Sequence, residues 1–583
     1  SLYRYIDTDN IYKTIMLVDN GPLTKNGGGG GGGSHGVEME STHQQSTPLI
    51  RKRSSYYKLS SLTRKYPYDN SKDDELDKCL TLIDIVSYGI GATVGAGVFV
   101  SIGVAIKTAA GPATFISYLI ASLTCLISAF CYAEFAAKIP LSGSAYTFAY
   151  VALGEFIGWF IGWNLTLEYA VSASAVARGW AGYFSQFFTV FNTTAPEFVT
   201  GYHLNSVFDI APLAPIIVIV CTIVLVFGVK DSAKFNMTIT TINILTILFF
   251  IILGAVYFDK ANFQPFMPFG MNGVFTGCSK VFFSFVGFDA VTTLSGEVKN
   301  PKRDLPLGIV ITLTIVTTLY CLVSIVLAGM IKYSAISETS PLSDAFLSLT
   351  GSHPALKWAA LAIVIGTLTS LTASTLCSLL GQPRIYLQMA KDGLIFSRFA
   401  KVNSKTQVPM FGTIFTGAFA SLLALMLSLD QLSNMISIGT LLAFTVVCAG
   451  VVILRYRNPD TGKEHHLIQS SWLLLVMVFF ACLFGWASSR SWNIGFQIGF
   501  AVPIITIIVL LALRPQVNVP TQTFKTPLTP ILPCLGVVAN TYIIMHLDVE
   551  SFYRVLVWTA IGCIIYFGYG IRHSKLNDLD NNV

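Results

Sequence analysis

From about residue 80 to residue 571 the chain alternates long apolar runs with short polar loops. The runs lie near 80–104, 112–137, 155–188, 212–229, 235–258, 273–296, 306–331, 356–380, 410–429, 432–454, 470–488, 493–513, 531–547 and 553–571. An α-helix needs about 20 apolar residues to cross a hydrocarbon core. The pattern therefore predicts an all-α membrane protein with about fourteen spans. Two flanking stretches, 144–153 and 384–401, read as short interfacial helices. Residues 1–76 are polar, include seven consecutive glycines at 27–33 and show no apolar period, so they read as a disordered tail.

Span 1 and span 6 break this pattern. Gly89-Ile-Gly-Ala-Thr-Val-Gly-Ala-Gly97 places four glycines in nine residues of an apolar run. Each costs about 1 kcal/mol against alanine in a helix interior. A bilayer offers no water to the backbone groups that a break leaves free. A second interruption stands at Phe283-Ser-Phe-Val-Gly-Phe-Asp289. The two lie five spans apart, and paired interruptions at corresponding places point to a solute site between inverted repeats. Half-helix N-termini there suit a carboxylate, and unwound carbonyls suit an ammonium group. A zwitterionic amino acid carries both. Close helix packing through small residues is the competing explanation of the glycines.

Composition agrees with a membrane setting. The chain has 583 residues, 53% hydrophobic and 12% charged, with mean hydropathy +0.63. Soluble domains carry about 25% charged residues. The net charge of +6 sits in loops and tails, so it orients the protein in lipid and gives no reason to expect nucleic acid. Cationic loops group on one side with both tails, which places both termini in the cytosol. Asn192-Thr-Thr194 then faces outward as a glycosylation acceptor at Asn192. The 11 cysteines form no C-x-x-C pair and read as small apolar residues. No H-E-x-x-H, P-loop or G-x-S-x-G occurs, so the sequence predicts no enzyme, cofactor or metal site.

The motifs then become recognisable. Gly91-Ala-Thr-Val-Gly-Ala-Gly-Val-Phe99, Cys131-Tyr-Ala-Glu-Phe135 and Ile139-Pro-Leu-Ser-Gly-Ser-Ala-Tyr146 resemble the cationic amino acid transporter family of the amino acid–polyamine–organocation superfamily. So do Gly158-Trp-Phe-Ile-Gly-Trp-Asn164, Phe285-Val-Gly-Phe-Asp289, Glu297-Val-Lys-Asn-Pro-Lys-Arg303 and Ser437-Ile-Gly-Thr-Leu-Leu442. The resemblance implies a LeuT-like 5+5 inverted-repeat core over 77–460. Four additional spans would fill 461–572, and a cytosolic tail 573–583. It also implies that Gly95, Ala96 and Gly97 offer N–H groups to a substrate carboxylate. The carbonyls of Thr93, Phe283 and Val286 would face the α-ammonium, with Phe283 as an aromatic lid.

Three positions bear on specificity. Asn243 in span 5 stands where some bacterial relatives carry a lysine, and cationic members have asparagine. Ser378 in span 8 aligns with a small polar position of the side-chain pocket. Its alternative is a hydroxyl bonded back to its own helix. Glu168 departs from the uncharged residue of cationic members. A buried carboxylate in lipid is costly and is usually paired. It has open to it the cationic end of a substrate, a proton, Arg178 or a polar partner on a neighbouring span. Arg178, ten residues on, lies about 15 Å away along a straight helix. An inner-mouth network of Glu134, Glu297, Lys302 and Arg384 is a further expectation, and Asp289 reads as a helix cap.

The leading reading is a secondary transporter of cationic amino acids such as arginine, lysine and ornithine. The alternatives are a neutral, broad or proton-coupled amino acid transporter, and an amino-acid sensor with transporter architecture. Its partners are an amino acid and the lipid bilayer, and the oligomeric state is left open. The plasma membrane leads as location, with an endolysosomal or vacuolar membrane as the alternative.

Overall fold

The computed structural model describes residues 80–95, 97–139, 143–203, 209–227, 233–292, 298–403, 406, 408–458, 469–518 and 524–577. The expected N-terminal tail, Ala96 and Glu297 lie outside these residues. In chain order the longer helices are α1 (Leu82–Thr93), α2 (Thr114–Lys138), α3 (Ser144–Leu153), α4 (Glu155–Val190), α5 (Leu213–Val226), α6 (Ala233–Val256), α7 (Gly270–Val281) and α8 (Pro301–Met330). They continue with α9 (Pro341–Ser348), α10 (Leu356–Lys391), α11 (Met410–Met426), α12 (Leu429–Tyr456), α13 (Ser470–Ser489), α14 (Ile494–Ala512), α15 (Ile531–Ile544) and α16 (Val549–Ile565). A two-residue antiparallel ladder pairs Tyr202–His203 with Asp209–Ile210. Among the described residues, nine helical stretches are long and apolar enough to cross a membrane. The shorter apolar helices α1, α3, α5, α11 and α15 stand beside them.

Local chemistry sets the helix ends. Thr81 and Asp84 form a reciprocal capping box at the start of α1, and Ser428 and Gln431 do the same for α12. Pro301 and Pro341 open α8 and α9, where their missing N–H costs nothing. The stretch 384–401 is not a separate interfacial helix. α10 runs unbroken through Pro383 to Lys391, and only Ser397–Ala400 forms a short 3-10 turn beyond it. Pro383 is buried among neighbouring helices, a setting that tolerates a proline in a membrane helix.

The centre of the helical body is α4. It packs along α10, α12 and α3, and most of its residues are buried. They include Asn164, Glu168, Ser172 and Ser174. α8 lies against both α1 and α2. α13 and α14 pack on each other, and α15 joins α13 to α12 and α2.

At one end of the body Arg455 of α12 donates to Glu134 of α2 at 2.8 Å, with both side chains nearly buried. The Thr526 N–H donates to the same carboxylate oxygen at 2.8 Å. Glu134 is thus held by Arg455 and the segment before α15. Of the expected network, Glu297 lies outside the described residues.

Candidate functional site: two crossed helix breaks

Both interruptions read from the glycines are real breaks. α1 ends at Thr93, Val94 is extended, and a π-type turn restarts the helix at Gly97–Ser101. In the second run α7 tightens to a 3-10 turn over Phe282–Phe285. Val286 is then extended, and Gly287 sits at φ +119°, a conformation that suits glycine.

The two breaks cross in backbone contact. A Cβ on Gly97 would overlap the Ser284 Cα. A Cβ on Gly287 would lie 2.6 Å from the Ala92 carbonyl oxygen and 2.8 Å from its carbon. Close packing and chain interruption, posed above as competing explanations of the glycines, are therefore both present. A Cβ on Gly95 would meet a different neighbour, the Ser374 hydroxyl of α10.

Two buried tyrosines stitch the crossing. The Tyr320 hydroxyl of α8 lies 3.0 Å from the Thr93 carbonyl and 3.0 Å from the Ser284 carbonyl. With one proton it can donate to only one at a time. The Tyr118 hydroxyl of α2 lies 3.4 Å from Ser284 Oγ and 3.5 Å from the Gly97 carbonyl. The rings of Tyr118, Phe285 and Tyr320 pack together with centroids 5.4–6.1 Å apart. Sequence reading missed both tyrosines. The available signal was a tyrosine inside an apolar run, whose hydroxyl must find a buried partner.

The other site residues fall around this crossing. Thr93 is buried and its hydroxyl donates to Gly89 O at 2.7 Å. Phe283 is buried, and its carbonyl accepts the Val286 N–H at 3.2 Å. Asn243 on α6 is buried, and neither amide atom has a partner among the described residues. One turn before it, Thr240 donates to the Ser87 carbonyl of α1. One turn after it, Thr246 lies against Gly366 of α10. Thr367 and Ser370 of α10 are also buried with unpartnered hydroxyls. Ser378 is half-buried and its hydroxyl donates to Ser172 of α4 at 3.4 Å, across the helix pair. Asn192 is exposed just beyond α4.

Glu168 is fully buried, and neither carboxyl oxygen has a hydrogen-bond partner among the described residues. Asp289, at the second break, and Thr440 of α12 are its polar neighbours. Asp289 is fully buried too. Its Oδ2 accepts from the Tyr169 hydroxyl at 3.4 Å, while Oδ1 has no partner among the described residues. Arg178 is occupied elsewhere, donating to the Ala424 and Leu425 carbonyls. Two buried carboxyls therefore stand near each other, and no Lys, Arg or His is ion-paired to either among the described residues.

Comparison with known proteins settles the family. Residues 80–513 match the family described as amino acid permease, and residues 524–574 match the C-terminus of that family. The chain belongs to the amino acid permease family. It is 34% identical to "Cationic amino acid transporter 4, vacuolar" of Arabidopsis thaliana, over 89% of this chain and 97% of that one. It is 35% identical to the "Methylthioribose transporter" of Bacillus subtilis, over 89% of this chain and all of the other. It is also 35% identical to the "Branched-chain amino acid permease BcaP" of Bacillus subtilis, over 87% and 96% of the two chains. This permease is a multi-pass membrane protein, and its family and relatives are transporters rather than enzymes. The resemblance to cationic amino acid transporters holds over most of its length.

Proposed function

We propose that this permease moves amino acids, cationic ones foremost, by alternating access about the crossed breaks. The observation that carries the reading is the backbone contact of the Gly97 and Gly287 regions, each in a broken membrane helix. Broken helices in corresponding places of two repeats form the substrate site in inverted-repeat transporters. The reading includes a 5+5 core, four added spans, fourteen spans in all and both tails in the cytosol. Gly95, Ala96 and Gly97 present N–H groups to the carboxylate, and the Thr93, Phe283 and Val286 carbonyls take the α-ammonium. Phe283 covers the site. Asn243 and Ser378 line it, and exposed Asn192 faces outward as the glycan acceptor.

The Glu168–Asp289 pair supports the cationic choice. Two buried carboxyls without a fixed cation are a ready acceptor for a guanidinium or ammonium group. The same pair supports a second reading, in which it holds a proton and couples neutral substrates to a proton gradient. The names of the relatives divide along this line, cationic in one and branched-chain in another. The plasma membrane leads as location, and a vacuolar or endolysosomal membrane is the alternative.

Labelled arginine uptake into proteoliposomes, competed by a panel of amino acids, tests this. Lysine and ornithine should compete, and leucine should not. Binding of arginine without net uptake would replace the transporter with a sensor. Competition by leucine, together with uptake that rises as external pH falls, would replace it with the proton-coupled reading.

A further inference from the structure

Beyond the last turn of α10, away from the crossed breaks, lies a cavity of about 520 Å³. Trp163, Tyr386, Phe399, Phe411 and Phe415 supply much of its wall, with Tyr569 beyond α16. The rings brace one another. Phe399 packs on Phe411 at 4.8 Å, on Phe415 at 5.6 Å and on Tyr386 at 5.1 Å, while Phe396 packs on Tyr569 at 4.8 Å. The chamber is therefore preformed. Its volume falls in the roughly 300–1,000 Å³ range of small-molecule sites.

A second hollow of about 400 Å³ adjoins it and shares Arg398 and Phe411 as walls. This one is of mixed character: Val402 and Met410 join Phe411 in its wall, and Arg398, Lys401 and Asn403 bring polar ends to it. Arg398 and Lys401 are exposed, and neither makes an ion pair among the described residues. The nearest acid along the chain, Asp392, is turned inward and accepts from the Tyr146 hydroxyl at 2.6 Å. Arg398 and Lys401 end the stretch 384–401, and neither belongs to the transport site proposed above.

We propose that the joined hollows bind one anionic glycerophospholipid, with an acyl chain in the aromatic chamber and the phosphate against Arg398 and Lys401. Each half excludes a simpler occupant. A soluble anion leaves 520 Å³ of aromatic wall without a partner. A neutral sterol leaves two cations at the mouth unneutralised. An amphiphile with a negative head satisfies both, and basic pockets between membrane helices hold anionic headgroups in this way. Each cation near such a head contributes about fivefold in affinity.

Native mass spectrometry of the purified full-length protein, titrated with phosphatidylserine or phosphatidylcholine, tests the site. The wild type should retain one phosphatidylserine more tightly than phosphatidylcholine. R398Q/K401Q should weaken phosphatidylserine retention by about 25-fold, the product of two such contacts, and weaken phosphatidylcholine, whose phosphate is offset by its choline cation, by less. Ser397→Trp, which fills the chamber from its rim, should lower retention while keeping both cations. Circular dichroism melting of each variant should match the wild type. Equal retention of the two lipids by the wild type overturns the proposal. So does unchanged phosphatidylserine retention in R398Q/K401Q, or equally tight binding of chain-free glycerophosphoserine.

Discussion

Helices α12 and α14 are equally apolar by hydropathy, yet 83% of the most apolar window of α12 is buried against 17% of that of α14. α12 buries Ser433, Asn434, Ser437, Thr440 and Arg455 along with its apolar residues. α14 buries only Ile504, Ile507 and Leu511 and turns Ile494, Phe496, Ile498 and Ile505 outward. Hydropathy finds a span but does not say whether protein or lipid surrounds it. Buried polarity does say so, because a polar group in lipid needs a protein partner. The same contrast separates α4, with Glu168 at its centre, from the rim. It places the machinery where apolar runs carry polar residues that lipid would not tolerate.

The largest expected effect sets a core glycine against a rim glycine. Gly97→Val drives a branched side chain into the Ser284 backbone, which cannot retreat without moving the second break. Overpacking of this kind costs about 1–3 kcal/mol or more. Transport should fall at least 100-fold at equal membrane expression. Gly499→Val in α14 meets nothing within 4 Å and should leave uptake unchanged. Wild-type uptake by Gly97→Val would break the crossing as the functional centre.

Two substitutions probe the walls. Ser378→Met lengthens a half-buried side chain that now reaches Ser172. A pocket altered by a few methylenes shifts preference by about 10–200-fold. The arginine-to-alanine uptake ratio should fall within that range. An unchanged ratio would remove Ser378 from the pocket. Glu168→Gln should cut arginine and lysine uptake about tenfold and spare neutral substrates if the carboxyl pair receives the substrate's cationic end. If the pair holds a proton instead, the change should erase the pH dependence for every substrate. Wild-type uptake across substrates and pH would leave Glu168 structural.

Much of this was legible, and the boundary of legibility has a physical cause. The breaks could be read because glycine content and hydropathy are local properties. Helix positions followed from the same signal, and the main error came at Pro383, where burial between helices overrode a local breaker. The partners of the site could not be read. Glu168 and Asp289 are 121 positions apart, and Tyr320 reaches Thr93 from 227 positions away. Glu134 stands near the end of α2, and its partner Arg455 lies 321 positions on. No local pattern encodes such pairings. A single sequence gives the need for a partner, not the partner.

Gly95 sharpens the comparison within the core. Gly95→Ala puts a methyl against the Ser374 hydroxyl, whereas Gly97 faces backbone. A side chain can turn away, so the loss should be smaller, about tenfold in arginine uptake. Adding Ser374→Gly should restore most of it if the clash is the cause. A double variant as poor as Gly95→Ala would mean that the substrate carboxylate needs the bare Gly95 backbone, the role proposed for it above.

The smallest effect concerns the Tyr320 hydroxyl. It serves two carbonyls, one from each break, and donates to one at a time. Tyr320→Phe keeps the ring packed on Tyr118 and Phe285 and removes only the oxygen. One buried hydrogen bond is worth about 0.5–1.5 kcal/mol. Arginine uptake should therefore fall about fivefold, with a modest drop in melting temperature. The matched rim change is Tyr553→Phe in α16, where the tyrosine is 66% exposed, and it should do nothing measurable. If Tyr320→Phe lowers uptake but not melting temperature, the hydroxyl acts when the two breaks move rather than in the resting fold. A switch of the Tyr320 O–H from one carbonyl to the other would then mark the relative motion of the two half-sites. If both tyrosine changes are silent, the stitch adds nothing to the backbone contact of Gly97 and Gly287, and packing alone holds the breaks together.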